Sequence, residues 1–184
     1  MLISKDKCDK LTDRQMILKA LEDVDYFTCM YLRYESQLKR YILKISKVTP
    51  QEAEDILQEA YIKIWRNLNA IDPSMKLSSW LYRIIYNQTI SNWRKKKGAA
   101  IITLDEKVAQ TIFEDLENKD SEEINDRAVQ KAINGLPAKY KDVIILKYFE
   151  NMNYEEISDI LKIPEGTVAV RLNRAKKAIK KALH

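Results

Sequence analysis

The stretch that decides the fold runs from Asn153 to Ala182 and reads NYEEISDILKIPEGTVAVRLNRAKKAIKKA. Asn153 stands where a helix N-cap accepts from the backbone, and Glu156, three residues on, completes a capping box. The helix so started is expected to bury Ile157, Ile160 and Leu161. Lys162 and Ile163 then make a tight turn, with Ile163 pointing inward to hold two helices at an angle. Pro164 and Glu165 open the next helix, a place where proline costs nothing because that N–H would be unpaired anyway. Val168, Leu172, Ala175 and Ile179 form its buried stripe. At about 100° per residue, Gly166, Thr167, Val170, Asn173, Arg174 and Lys177 fall on the opposite face, with Ala169 and Arg171 on the flanks. A helix that packs one face and offers small, polar and basic side chains from its N-terminal half suits the DNA major groove. The segment therefore predicts a helix-turn-helix.

Upstream of it, helical pattern runs through Ile124, Ala128, Ala132 and Ile133, breaks at Gly135-Leu136-Pro137, and resumes from Ala138 to Phe149. The first half of the chain shows helix after helix. Thr12 or Asp13 caps a segment carrying Met16, Ile17, Ala20 and Leu21. A longer one follows, with Phe27, Met30, Tyr34, Leu38, Tyr41, Ile42 and Ile45 at helical spacing. Thr49, Pro50 and Glu52 form a complete start signal, behind which Ala53, Ile56, Leu57, Ala60, Tyr61, Ile64 and Leu68 draw one apolar stripe. A fourth helix opens near Ser78 or Ser79 and runs into Arg94–Lys97, with Gly98 as a stop.

The bulk composition agrees. Of 184 residues 46% are hydrophobic and 32% charged, with only 3 Gly and 4 Pro, which favours an all-α protein. Net charge is +5 and the pI about 9.0, which suits a polyanionic partner. Charge is also segregated. Pro73 to Leu104 holds no acid, whereas Asp105 to Asp126 holds nine acids against Lys107 and Lys119. Residues 99–123 therefore read as a flexible acidic linker between two small helical domains, 10–98 and 124–184.

Cys8 and Cys29 are too few and too oddly placed for a disulfide framework, so a reducing cytoplasm is the simpler expectation. The sole histidine is His184, and no nucleophile–base pair, Gly-rich phosphate loop or metal-ligand cluster is recognisable. The chain therefore offers no catalytic, cofactor-binding or metal-ligating residues. No apolar run approaches a membrane span, and residues 1–10 are too polar for a signal peptide, so no direct membrane insertion is expected.

Trp80 to Lys97 is the second informative stretch. It interleaves Trp80, Tyr82, Tyr86 and Trp93 with Arg83, Asn87, Gln88, Thr89, Ser91, Asn92 and the cluster from Arg94 and Lys95 to Lys97. Aromatics offer stacking surfaces for unpaired bases, amides and hydroxyls read base edges, and cations hold phosphate. On composition alone several of these aromatics, Trp80 and Trp93 above all, read as core.

Two motif blocks in order resemble one family. Tyr154-Glu155-Glu156-Ile157 followed by Gly166-Thr167-Val168 and Arg171-Leu172 looks like region 4 of the extracytoplasmic-function (ECF) sigma factors of bacterial RNA polymerase, of the sigma-70 family. Leu77-Ser78-Ser79-Trp80-Leu81-Tyr82-Arg83-Ile84 with Asn87 is similar to the family's region 2. The resemblance runs from about Thr12 to Leu183. It implies minus-ten recognition and melting by Trp80, Arg83, Asn87, Thr89, Ser91, Arg94 and Lys95. It implies minus-thirty-five recognition by Glu165, Thr167, Val170, Arg171, Asn173, Arg174 and Lys177. The preceding helix is close to the family's polymerase-docking segment, which assigns Asp55, Gln58, Glu59 and Trp65 to the polymerase core. Ala169 and Val170 stand where the family often has a basic residue and then Ser or Thr, and Ser91 replaces a common Asp. The implied partners are RNA polymerase core, promoter DNA and an anti-sigma factor. A free-standing dimeric helix-turn-helix regulator explains the C-terminal half alone, and an adaptor that binds only protein explains neither basic surface.

Overall fold

Three capping boxes set the helix starts on which the rest is built. In the first, the Gln15 N–H donates to Thr12 Oγ1 while the Thr12 N–H donates to Gln15 Oε1, at 3.2 and 2.9 Å. Thr49 and Glu52 repeat the exchange at 3.2 and 2.8 Å, with Pro50 at the first helical position. Asn153 and Glu156 do so at 2.9 and 2.8 Å. Each box satisfies two of the N–H groups that a helix start leaves unpaired.

The computed structural model describes residues 3–46, 48–71, 76–96, 108, 111–112 and 126–183, except for the side chains of 93–96 and 126. The described residues contain helices and turns and no strand, so the protein is all-α. The helices are α1 (Lys5–Asp9), α2 (Asp13–Glu22), α3 (Phe27–Ile45), α4 (Pro50–Arg66) and α5 (Leu77–Lys96), followed by α6 (Asp126–Asn134), α7 (Ala138–Ile144), α8 (Tyr154–Leu161) and α9 (Glu165–Leu183). Short 3-10 turns at Val24–Tyr26 and Leu68–Ala70 flank α3 and α4. The chain divides into two units, Met1–Lys97 and Gly98–His184.

In the first unit α3, α4 and α5 pack on one another, and α1 and α2 lie on α3. The core holds residues of the stripes that periodicity marks, Met30, Leu38, Tyr41 and Ile42 of α3 and Ala53, Leu57, Ala60 and Ile64 of α4, closed by Leu77, Leu81 and Ile85 of α5. Burying each large side chain stabilises by roughly 1.5–3 kcal/mol. Lys39 of α3 and Glu54 of α4 add an ion pair at 2.5 Å. Arg33 ties the start of the chain to α3. Its guanidinium donates to Asp13 Oδ1 at 3.0 Å, to the Cys8 carbonyl at 2.8 Å and to the Leu11 carbonyl at 2.6 Å.

Residues ahead of position 10 join this unit, since α1 packs on α3 and buries Cys8. One expectation fails at this end: Cys8 and Cys29 form a disulfide, their Cα atoms 4.9 Å from each other. Their 21-residue separation in sequence does not prevent pairing, because α1 folds back along α3.

In the second unit α9 packs against α6, α7 and α8. The expected single helix from Ala138 to Phe149 changes pitch instead, with α7 giving way to a π turn at Ile145–Phe149. Asn151, with φ of 54°, ends it in the left-handed region, which Asn tolerates better than most residues. Of the segment expected as a linker, the structure describes Val108, Thr111 and Ile112, all helical, with Ile112 buried. The remainder of 99–123, the stop at Gly98 and Lys97 lie outside the described residues.

Candidate nucleic-acid and docking surfaces

The sequence makes α8 short by placing its cap at Asn153 and its stop at Lys162, whose φ of 54° is left-handed. Ser158 closes the turn, its hydroxyl donating to the Ile163 carbonyl at 2.6 Å. With the turn fixed, Val168, Leu172, Ala175 and Ile179 are all buried, and α9 presents the face that the 100° rotation assigns it. Glu165, Gly166, Asn173, Arg174 and Lys177 are exposed, Thr167 and Arg171 half-buried. Val170 is 49% exposed, a large apolar side chain turned to solvent beside cations. Among the described residues no acid pairs with Arg174 or Lys177, so both charges face outward. A Cβ built on Gly166 meets no heavy atom within 4 Å, so the protein's own packing does not require glycine there.

The second surface is a cleft of about 570 Å³ between α4 and α5. It brings together four residues of the sequence reading, Trp80, Arg83, Asn87 and Ser91. Asn87 and Ser91 are exposed, Arg83 is half-buried, and Trp80, 5% exposed, is core that shows one edge to the cleft. Lys63, Asn67 and Gln88 also line it. A network stiffens this wall. Lys63 Nζ donates to Gln88 Oε1, and Gln88 Nε2 donates to Glu59 Oε2 at 2.5 Å. Sequence reasoning placed neither Lys63 nor Asn67 on this surface. The available signal was the spacing of Glu59, Lys63 and Asn67, four residues apart along one face of α4.

Thr89 does not belong to this surface. It is fully buried, and its hydroxyl donates to the Ile85 carbonyl one turn back at 2.8 Å. A threonine satisfied in that way counts as core, which its polarity hid. Arg94 and Lys95 continue α5, and their side chains lie outside the described residues.

The third surface is a strip on α4. Asp55, Gln58, Ile62 and Trp65 are spaced by three or four residues and are exposed, Ile62 at 52% and Trp65 at 45%. Phe27 of α3 holds Trp65 edge-on with ring centroids 5.3 Å apart, and Tyr31 lies 4.8 Å from Tyr61 below. Burial, with a hydrogen bond to Glu35, pushes the Tyr31 hydroxyl up to about 12. Burial likewise raises Tyr61, and burial with a hydrogen bond to Asp13 raises Tyr34. All three remain neutral donors. Glu59, expected beside Asp55, gives its carboxylate to Gln88 on the cleft side.

The chain matches two family descriptions, sigma-70 region 2 over residues 30–99 and sigma-70 region 4 over residues 126–179. It is 40% identical over 144 residues to the ECF RNA polymerase sigma factor SigW of Bacillus subtilis, covering 72% of this chain and 75% of that protein. It is 28% identical over 181 residues to the RNA polymerase sigma-H factor of Pseudomonas aeruginosa, covering 93% of each. Among solved structures, CnrH in complex with the cytosolic domain of CnrY superposes with a TM-score of 0.65 at 20% identity, over 93% of this chain and 96% of that one. The sigma factor RpoE of Bartonella quintana, in complex with the anti-sigma factor NepR, superposes with a TM-score of 0.63 at 21% identity, over 85% and 96%. The chain thus belongs to the sigma-70 family. Within that family the chain belongs to the ECF sigma factors, and it is an RNA polymerase sigma factor of that type.

Proposed function

We propose that the three surfaces divide the work of promoter opening. The α4 strip of Asp55, Gln58, Ile62 and Trp65 docks on core polymerase. The exposed face of α9 reads the minus-thirty-five element, with Arg174 and Lys177 toward phosphate and Val170 toward a thymine methyl. The cleft beside α5 holds minus-ten bases as the duplex opens. Residues 10–98 and 124–184 act as the two working domains, with 99–123 between them. The observation that carries this reading is the cleft, because a protein that only binds duplex DNA has no use for it.

Opening costs about 1.4 kcal/mol of stacking per base-pair step. A cleft offering the Asn87 amide and the Ser91 hydroxyl beside the Arg83 and Lys63 cations supplies base-edge hydrogen bonds and phosphate contacts to offset that cost. The protein works in the cytoplasm beside polymerase and contributes binding energy rather than catalytic chemistry. No helix among the described residues is long and apolar enough to cross a membrane. An anti-sigma factor binds it, as NepR is in complex with the sigma factor RpoE of Bartonella quintana. The dimeric-regulator alternative is not favoured, since it leaves both the cleft and the α4 strip without a role.

Titration of fluorescently labelled core polymerase with the Trp65→Ala and Asp55→Lys variants tests the docking assignment. Affinity is expected to fall about tenfold or more for Trp65→Ala, as it does for buried aromatic anchors. Wild-type affinity in both variants removes this strip from the interface.

A further inference from the structure

The Cys8–Cys29 bond stands apart from the docking and DNA surfaces. We propose that this pair is a reversible thiol–disulfide modification site, whose state latches α1 to α3 or releases it. Three observations meet here. First, the two Cα atoms lie 4.9 Å apart, within bridging range, and both residues sit in the core, so the fold brings the sulfurs together. Second, α1 has five residues and no side-chain cap, too short to hold helical shape by itself. Beyond packing, its hold on α3 includes the disulfide and Arg33, which clamps the Cys8 carbonyl and, just past α1, that of Leu11. Third, Cys8 is 2% exposed and Cys29 is fully buried, so no reagent reaches either sulfur until α1 lifts.

The latch bears on the docking surface through α3. Cys29 and Arg33 occupy one side of that helix, and Phe27 and Tyr31, which support Trp65 and Tyr61, occupy the other. In a cytoplasm, disulfides are typically transient or redox-sensing, and this one is placed to be so.

The chemistry closes with a low-molecular-weight disulfide as oxidant. One cysteine thiolate attacks it and forms a mixed disulfide, releasing one small thiol. The second cysteine thiolate attacks the protein sulfur of that mixed disulfide and releases the other small thiol. The protein loses two protons and two electrons, and the small disulfide gains both. A dithiol reductant runs the sequence backwards.

The experiment uses the full chain, incubated with glutathione disulfide or with dithiothreitol, then denatured and alkylated for mass spectrometry. The oxidised sample is expected to carry no alkyl group and the reduced sample two. Reduction is expected to speed hydrogen exchange of the α1 amides about tenfold or more, and to lower the melting midpoint of the first unit by about 10 °C. Arg33→Ala is expected to speed reduction by dithiothreitol about tenfold, since a clamp of charge-assisted hydrogen bonds is lost. Two alkylated cysteines after the oxidant, or α1 exchange identical in the two states, overturns the proposal. The redox comparison uses wild-type protein, so a variant that fails to fold does not cloud it.

Discussion

Gly166→Ala separates what the protein needs for its own fold from what it needs for DNA. Gly166 is the second residue of α9, and a Cβ there meets no heavy atom within 4 Å. Glycine inside a helix costs roughly 0.5–1 kcal/mol relative to alanine, and the first turn stands at the lower end of that range. The variant is therefore expected to be more stable by about 0.5 kcal/mol, which raises the midpoint of a domain this size by about 2–4 °C. Nothing inside the protein opposes the methyl. What is proposed to oppose it is the DNA at the exposed first turn of α9. Forcing an extra methyl into a close interface costs roughly 1–3 kcal/mol, so promoter affinity should fall between about fivefold and a hundredfold. Calorimetry on the full chain measures the first effect. Binding of reconstituted holoenzyme to a promoter with and without its upstream element measures the second. A variant that is more stable and binds as tightly as wild type refutes the reasoning, because the glycine would then have no contact to protect.

Two further predictions concern the first unit. Asn87→Ala is expected to slow strand opening, followed by 2-aminopurine fluorescence in the minus-ten element, while Thr89→Val leaves opening unchanged. The reverse pattern would return Thr89 to the DNA surface and remove Asn87 from it. The second concerns alkaline pH. Tyr31, Tyr34 and Tyr61 all have folded values above the free-tyrosine value of 10.0, and burial is the largest cause. Folding therefore favours the protonated phenol, and that stability is fully present below pH 10 and lost as pH rises through the folded values. Chemical denaturation should show a flat stability up to about pH 9 and a steady fall beyond about pH 10, with the phenolate absorbance of these three tyrosines, isolated by their Tyr→Phe variants, appearing together with unfolding. Ionisation of Tyr31, Tyr34 or Tyr61 below pH 10 in the folded protein contradicts the burial account.

Much of this architecture was legible before any coordinates. Thr49-Pro50-Glu52 and Asn153 with Glu156 are local devices, and local devices read directly from sequence. The stripe of Val168, Leu172, Ala175 and Ile179 follows from a single period, and all four residues are buried. What sequence hid is tertiary. A five-residue α1 shows no period, and the pairing of Cys8 with Cys29 depends on a chain reversal that spacing cannot report. Thr89 and Gln88 are polar, so a pattern reading sets them on the surface. One is buried by bonding its own helix, the other by accepting from Lys63 and donating to Glu59. Glu59 illustrates the same point from the other side. Periodicity sets it beside Asp55, whereas its carboxylate accepts from Gln88 on α5.

The central claim is that this chain opens promoters only with polymerase, using the cleft beside α5. Permanganate footprinting of unpaired thymines, on promoters selected from the organism's own genomic library, tests it most directly. Core polymerase with this protein should render minus-ten thymines reactive, and neither component alone should do so. The same holoenzyme carrying Asn87→Ala should still occupy the promoter but show weakened reactivity. Reactivity undiminished by Asn87→Ala, or a palindromic footprint from the protein without polymerase, would contradict the account.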